Sequence, residues 1–140
     1  MGYDPKIWGA QAWHFIHMTM INFPPESTGE DKKEYEKFID SIPHILPCPM
    51  CGEHFKEILK THQPDYKDAQ SMWKWSVDVH NEVNKSLDKP VLSYDEAWAE
   101  LKKNGEPVEA TPRPNYNVEY FLAGIGIFAF AMLIFGGSKK

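Results

Sequence analysis

Two cysteines in 140 residues, Cys48 and Cys51, narrow what this chain can fold into. A single bridge across two intervening residues cannot staple a loop-rich scaffold, so the fold must rest on a hydrophobic core. Hydrophobic residues make up 42% of the chain and aromatics 14%, enough to build one in a small domain. The pair stands in Pro47-Cys48-Pro49-Met50-Cys51-Gly52-Glu53-His54-Phe55. C-x-x-C spacing sets the sulfurs one turn apart if a helix starts there, and Pro49 suits a first helical turn, where a missing N–H costs nothing. The unpaired N–H groups and positive dipole end of such a helix favour a cysteine thiolate. The pair is therefore either a redox disulfide or half of a metal site.

Helical periodicity runs through most of the chain, and no strand-like alternation or internal repeat accompanies it. Ile7 to about Phe23 reads as a first helix burying Trp8, Ala12, Phe15, Ile16, Met20 and Ile21, ended by Pro24-Pro25. Glu30 to Leu46 reads as a second, with Tyr35, Phe38, Ile39, Ile42 and Ile45 inward and Pro43 marking an early stop. A third runs from Pro49 to about Thr61, burying Phe55, Ile58 and Leu59, before His62-Gln63-Pro64-Asp65 breaks it. A fourth runs from about Asp68 to Leu87, with Met72, Ser76, Val79 and Val83 in one row and Trp73, Val77, His80, Asn81 and Asn84 in the next. Ser93 and Glu96 form a capping box for a short fifth helix carrying Ala97, Trp98 and Leu101.

Beyond that helix the composition changes. Residues 104–117, with Gly105, Pro107, Pro112 and Pro114, read as a linker too rich in proline for helix. The stretch 118–138 is almost wholly apolar and long enough to span a bilayer, so it reads as a C-terminal membrane anchor. The expected plan is all-α: a four-helix bundle plus a short fifth helix over residues 1–103, a linker, then a transmembrane helix. The N-terminus shows no basic region followed by an apolar stretch, so no signal peptide is expected. The formal charge of −5 argues against nucleic acid as a partner.

Several residues carry more chemistry than a core needs. His80, Asn81 and Asn84 offer an imidazole and two carboxamides from one side of the fourth helix, and Lys85 and Lys89 follow. Trp13 and His17, four apart on the first helix, present flat surfaces. Taken singly, each aromatic reads as core and each lysine as solvated surface. Together they suit a planar heteroaromatic cofactor with a phosphate tail.

The series Trp8-Gly9-x-x-x-Trp13-x-x-x-His17, Asn22-Phe23-Pro24, Pro47-Cys48-x-x-Cys51 and His80-Asn81-x-Val83-Asn84-Lys85-x-Leu87-x-Lys89-Pro90 closely resembles the Erv/ALR family of FAD-linked sulfhydryl oxidases. The register holds from Trp8 to about Trp98. The resemblance implies a helical bundle that holds FAD, usually as a homodimer, with the Cys48–Cys51 disulfide beside the isoalloxazine. It implies flavin contacts from Gly9, Trp13, His17, His80, Asn81, Val83, Asn84, Lys85, Lys89 and Trp98, with His54 a further candidate. By the same resemblance, substrate thiols meet Cys48, the outer sulfur, and Cys51 faces the flavin. Electrons pass from dithiols through the pair to FAD and then to oxygen, giving hydrogen peroxide.

Departures from the family pattern matter as well. Ala10 stands where many relatives have an arginine, leaving Lys85 and Lys89 as candidate phosphate partners. Val77 and Tyr94 stand where cellular relatives have a structural disulfide, whose removal from a small domain costs about 2–5 kcal/mol. No second, shuttle disulfide is present, so substrate proteins, or a thioredoxin-like relay, must reach Cys48–Cys51 directly. This reduced cysteine set resembles the viral branch of the family. A C-terminal anchor without a signal peptide would leave the oxidase domain on the cytosolic side of a viral or host internal membrane, or in a virion.

Two other readings compete. A structural zinc module would use Cys48, Cys51 and two of His44, His54 and His62, but leaves Trp13, His17 and the His80–Lys89 cluster unexplained. A thioredoxin-like reductase needs a βαβ context, of which the sequence has no trace.

Overall fold

Each helix start carries a side-chain cap that satisfies an otherwise unpaired backbone N–H. A computed structural model of the chain describes residues 2–103, and these form five helices: α1 Pro5–Ile21, α2 Gly29–Ile45, α3 Pro49–Thr61, α4 Ala69–Ser86 and α5 Tyr94–Lys102. Asp4 accepts the Lys6 N–H ahead of α1, at 2.9 Å. Thr28 and Asp31 cap α2 reciprocally, the Asp31 N–H reaching Thr28 Oγ1 at 3.2 Å and the Thr28 N–H reaching Asp31 Oδ2 at 2.9 Å. Asp68 accepts the Ser71 N–H at 2.7 Å to start α4. Ser93 and Glu96 form the expected capping box of α5.

No strand occurs among the described residues, as expected. No helix among them is long and apolar enough to cross a membrane. The linker 104–117 and the anchor 118–138 lie outside the described residues.

Helix α4 is the axis of the packing, with α1, α3 and α5 against it and α2 against α3. The main core joins Ile16 and Met20 of α1, Tyr35, Ile39 and Ile42 of α2, Phe55 and Ile58 of α3, and Met72, Trp75 and Val79 of α4. The Trp75 indole N–H donates to the His62 carbonyl at 2.9 Å, tying α4 to the end of α3. A smaller cluster of Trp73, Val77 and Leu101, with Trp98 on its flank, fastens α5 to the opposite side of α4.

Three expectations change. Phe15 is 60% exposed and Ile45 is 69% exposed. On α1 the buried stripe is narrower than its apolar content suggests, and Phe15 falls to one side of it, meeting Phe38 edge-on with ring centroids 6.0 Å apart. Ile45 lies beyond the last packed turn of α2, which ends its inward series at Ile42. Pro43 does not stop α2, which runs on to Ile45. Pro43 costs α2 the bond to the Ile39 carbonyl and crowds that carbonyl with its ring, but only two residues of helix follow it. Its carbonyl is also backed by α3, because Gly52 approaches so closely that a Cβ there would lie 2.1 Å from the Pro43 oxygen.

Val77 and Tyr94, where the resemblance implies a disulfide in cellular relatives, are held by packing and by a hydrogen bond. Val77 is 2% exposed within the α4–α5 cluster. The Tyr94 hydroxyl donates to the Asp78 carboxylate, with O···O distances of 2.9 and 3.0 Å.

Candidate active site

Cys48 is the N-cap of α3, and its Sγ accepts the Cys51 N–H at 3.2 Å. A sulfur here takes the place of the capping oxygen that serine or aspartate offers elsewhere. Cys48 and Cys51 are joined in a disulfide with their Cα atoms 5.2 Å apart, and both residues are half-buried. The bond lies over the unpaired N–H groups of the helix start, so a sulfur leaving it as a thiolate is stabilised. A lower thiolate pKa makes a better leaving group in exchange. The backbone ahead of α1 borders the pair: the Tyr3 N–H donates to the Pro47 carbonyl at 2.8 Å, and the Trp8 indole donates to the Tyr3 carbonyl at 3.2 Å. Nothing in the local motif pointed to this neighbour.

Cys51 stands one turn before Phe55 on α3, and Phe55 meets the Trp13 ring at 5.9 Å between centroids. Trp13 stacks on His80 at 4.1 Å with an interplanar angle of 9°, and on His17 at 5.8 Å and 24°. Residues from α1, α3 and α4 thus converge on one aromatic group. His17 Nε2 and His80 Nδ1 are 3.0 Å apart, and His17 Nδ1 lies 2.8 Å from Ser76 Oγ. Ser76 is fully buried. Its part in the group was missed in the sequence, where it reads only as one of a buried row.

Burial is the main reason that both imidazoles resist protonation. It holds His17 down to about 3, reinforced by His80 and then His14. It holds His80 down to about 4, reinforced by Lys89. In the unfolded chain each would titrate near 6.5. Below that value the unfolded state therefore binds more protons than the folded one, and stability falls as pH falls. We expect the thermal midpoint to be flat above 6.5 and to decline between 6.5 and 4.5, the ordinary value of a glutamate, before carboxylates dominate. The decline should vanish from that window in a His17→Gln/His80→Gln double variant, compared by calorimetry across pH. A decline that persists would assign it to other groups.

Helix α4 ends in a Schellman turn. Asp88 takes the left-handed conformation at φ 52°, its N–H donates to the Lys85 carbonyl at 3.2 Å, and the Lys89 N–H donates back to the Asn84 carbonyl at 2.9 Å. That reversal sets Lys89 near enough to His80 to act on its protonation. An aspartate in the place usually held by glycine hid the motif from the sequence.

The other expected contacts divide. Gly9 lies two turns before His17 and one before Trp13, and a methyl group added there would touch nothing within 4 Å. Val83 is half-buried against the main core, and the half-buried Asn84 side chain has no hydrogen bond among the described residues. Lys85 is exposed and ion-paired with Glu82 at 2.6 Å. Asn81 is committed elsewhere, since its amide donates to the Leu92 carbonyl at 2.8 Å and its oxygen accepts the Leu92 N–H at 3.0 Å. It clamps the loop before α5. Asn81→Ala strips both partners from Leu92 and should cost about 1–2 kcal/mol, seen as a lower urea midpoint; an unchanged midpoint would refute the clamp. Trp98 packs edge-on against Trp73 at 5.3 Å, in the α4–α5 cluster. His54 is exposed on α3 and makes no ring contact with Trp13, His17 or His80.

These side chains fit a flavin nucleotide in chemistry. The face of α1 that carries Trp13 and His17 opens at Gly9, the aromatic group supplies flat apolar surface, and Asn84, Lys85 and Lys89 add a carboxamide and two cations at the end of α4. The Trp13–His80 stack is already closed at 4.1 Å, so a planar ring would lie outside that pair and not between its members. The zinc alternative needs both sulfurs as thiolates, yet they are bonded to each other. Among the described residues no group of three or more His, Cys, Asp or Glu side chains is arranged to hold a metal ion.

A model of the Erv1/Alr family matches residues 10–103. The chain is 31% identical over 107 residues to a protein of Acanthamoeba polyphaga mimivirus named as a probable FAD-linked sulfhydryl oxidase, covering 74% of this chain and 75% of that one. It is 28% identical over 102 residues to the mitochondrial FAD-linked sulfhydryl oxidase ERV1 of Saccharomyces cerevisiae. It covers 73% of itself there but only 53% of the yeast protein, so it spans about half the length of that relative. The crystal structure of the FAD binding domain of Erv1 from the same yeast superposes with a TM-score of 0.66 at 27% identity, covering 75% of this chain and 99% of that domain.

Proposed function

The chain belongs to the Erv1/Alr family, and on that premise we propose that it is an FAD-dependent thiol oxidase that makes disulfides in substrate proteins through Cys48–Cys51. The observation that carries this reading is the link from a disulfide capping α3, through Phe55, to the Trp13–His17–His80 group. A substrate thiolate attacks Sγ of Cys48; the Cys48–Cys51 bond breaks and Cys51 leaves as a thiolate, stabilised at the helix start. A second substrate thiolate attacks the substrate sulfur of the mixed disulfide, releasing an oxidised product and the Cys48 thiolate. FAD, when bound, supplies the two-electron acceptor that lets oxygen end as hydrogen peroxide. The family resemblance makes Cys51 the sulfur on the cofactor side, and its place one turn before Phe55 on the same face of α3 supports that reading. Trp13, Gly9 and His80 would hold the cofactor's planar part, and Lys85 and Lys89 would meet its phosphates.

Exposed apolar residues on α1, Ile7, Phe15 and Met18, support a homodimer built on that helix. The apolar run 118–138 supports a membrane anchor, and we propose that the oxidase domain faces the cytosol. Protease digestion of intact membranes should then destroy the domain, and protection of it would contradict this orientation. The reaction itself is tested by incubating the purified full chain with a dithiol in air. Two thiols should be lost per hydrogen peroxide formed, and the loss should stop without oxygen. Thiol loss that continues without oxygen and yields no peroxide would reject oxygen as acceptor.

A further inference from the structure

We infer that Ser76 is a positioning residue that, through His17, fixes which nitrogen of His80 carries the proton, so that His80 offers a lone pair on Nε2 to an N–H donor of the bound ligand. The direction of the chain of hydrogen bonds follows from its far end. Ser76 Oγ lies 2.6 Å from the Trp73 carbonyl, which can only accept, so the one hydroxyl proton goes there. Ser76 Oγ must therefore accept from His17 Nδ1–H, at 2.8 Å. A neutral His17 then has its lone pair on Nε2, which accepts from His80 Nδ1–H at 3.0 Å. Burial keeps both rings neutral at neutral pH. A neutral His80 with its proton on Nδ1 has an unprotonated Nε2.

That nitrogen makes no hydrogen bond to the described residues. No side-chain nitrogen or oxygen buried among them lacks a partner, so Nε2 is open to the surface. An open acceptor on a ring stacked with Trp13, in a group that already suits a planar heteroaromatic, recognises a ring or exocyclic N–H. FAD carries such donors on both its isoalloxazine and adenine rings. The relay stands on the protein's own geometry, whereas the choice of FAD as its ligand rests on the function proposed above.

Removing the Ser76 hydroxyl leaves His17 Nδ1 without its acceptor. The whole relay can then reverse, His17 donating from Nε2 and His80 turning its Nε2 into a donor. Nitrogen-15 spectra of histidine-labelled full chain, without added flavin, read this directly. In the parent chain His80 Nε2 should give a pyridine-like signal and Nδ1 a pyrrole-like one. Ser76→Ala should mix or exchange the two, and Ser76→Thr, which keeps the hydroxyl, should restore the parent pattern. FAD affinity should weaken about tenfold in Ser76→Ala, the scale of one hydrogen bond, and recover in Ser76→Thr. A pyrrole-like Nε2 in the parent chain, or an unchanged pattern in Ser76→Ala, would overturn the relay. An exchanged pattern with unchanged FAD affinity would overturn the recognition of an N–H donor. A parent chain that binds no FAD would overturn the cofactor reading while the spectra still decide the relay.

Discussion

Gly52→Ala is expected to destabilise the chain by about 3 kcal/mol, the upper end of the usual cost of overpacking. Helix propensity alone predicts the opposite sign, because alanine inside a helix is favoured over glycine by about 1 kcal/mol. The reversal comes from one contact, since a Cβ at Gly52 would sit 2.1 Å from the Pro43 carbonyl oxygen. The obstacle is backbone, held in the last turn of α2, and cannot swing aside as a side chain would. Relief requires α2 and α3 to separate, which also moves the start of α3 and the disulfide it carries. Gly29→Ala is the internal control: it too is helical, but nothing lies within 4 Å of its added methyl. Urea unfolding should show a large fall in midpoint for Gly52→Ala and little change for Gly29→Ala. Equal midpoints for the two variants would refute the α2–α3 contact as drawn.

Cys51→Ser is expected to lower turnover with dithiol substrates on the order of a thousandfold or more, the scale on which losing a covalent participant acts. Stability should change little, because the bond closes a loop of only three intervening steps and constrains the unfolded chain weakly. The variant should retain its helices by circular dichroism and hold FAD as the parent does, yet fail to bleach the flavin with dithiol. Bleaching of Cys51→Ser at the parent rate would mean that substrate thiols bypass the pair.

Much of the fold was readable because each helix is bounded by residues with a local physical reason to sit there. Ser93 and Glu96 cap α5, Pro49 opens α3 and the prolines after Phe23 close α1, all within a few residues of their effect. What escaped was decided by packing between segments far apart in the chain. Whether Phe15 and Ile45 were covered depended on which helices arrived beside them, and both remained exposed. Pro43 stayed helical to Ile45, and its carbonyl is met by α3 at Gly52, nine positions on, a contact that no local pattern announces. The site divides along the same line. Spacing on single helices was enough to pair Trp13 with His17 and to group His80 with Asn84. It could not show that Ser76 would bind His17, that Leu92 would claim both ends of Asn81, or that Trp98 would pack on Trp73. Each of those depends on a partner from another element. Asp88 is a different case, a left-handed residue whose side chain gave no sign of it.

On the function proposed above, Cys48–Cys51 passes electrons to an FAD held by the aromatic group of α1 and α4. Anaerobic titration of the purified, dialysed full chain with dithiol, followed by its visible spectrum, tests this most directly. The purified protein should be yellow, with a flavin band that survives dialysis and is bleached by dithiol in the parent chain but not in Cys51→Ser. A colourless protein, or a flavin band that dithiol leaves untouched in the parent chain, would contradict it.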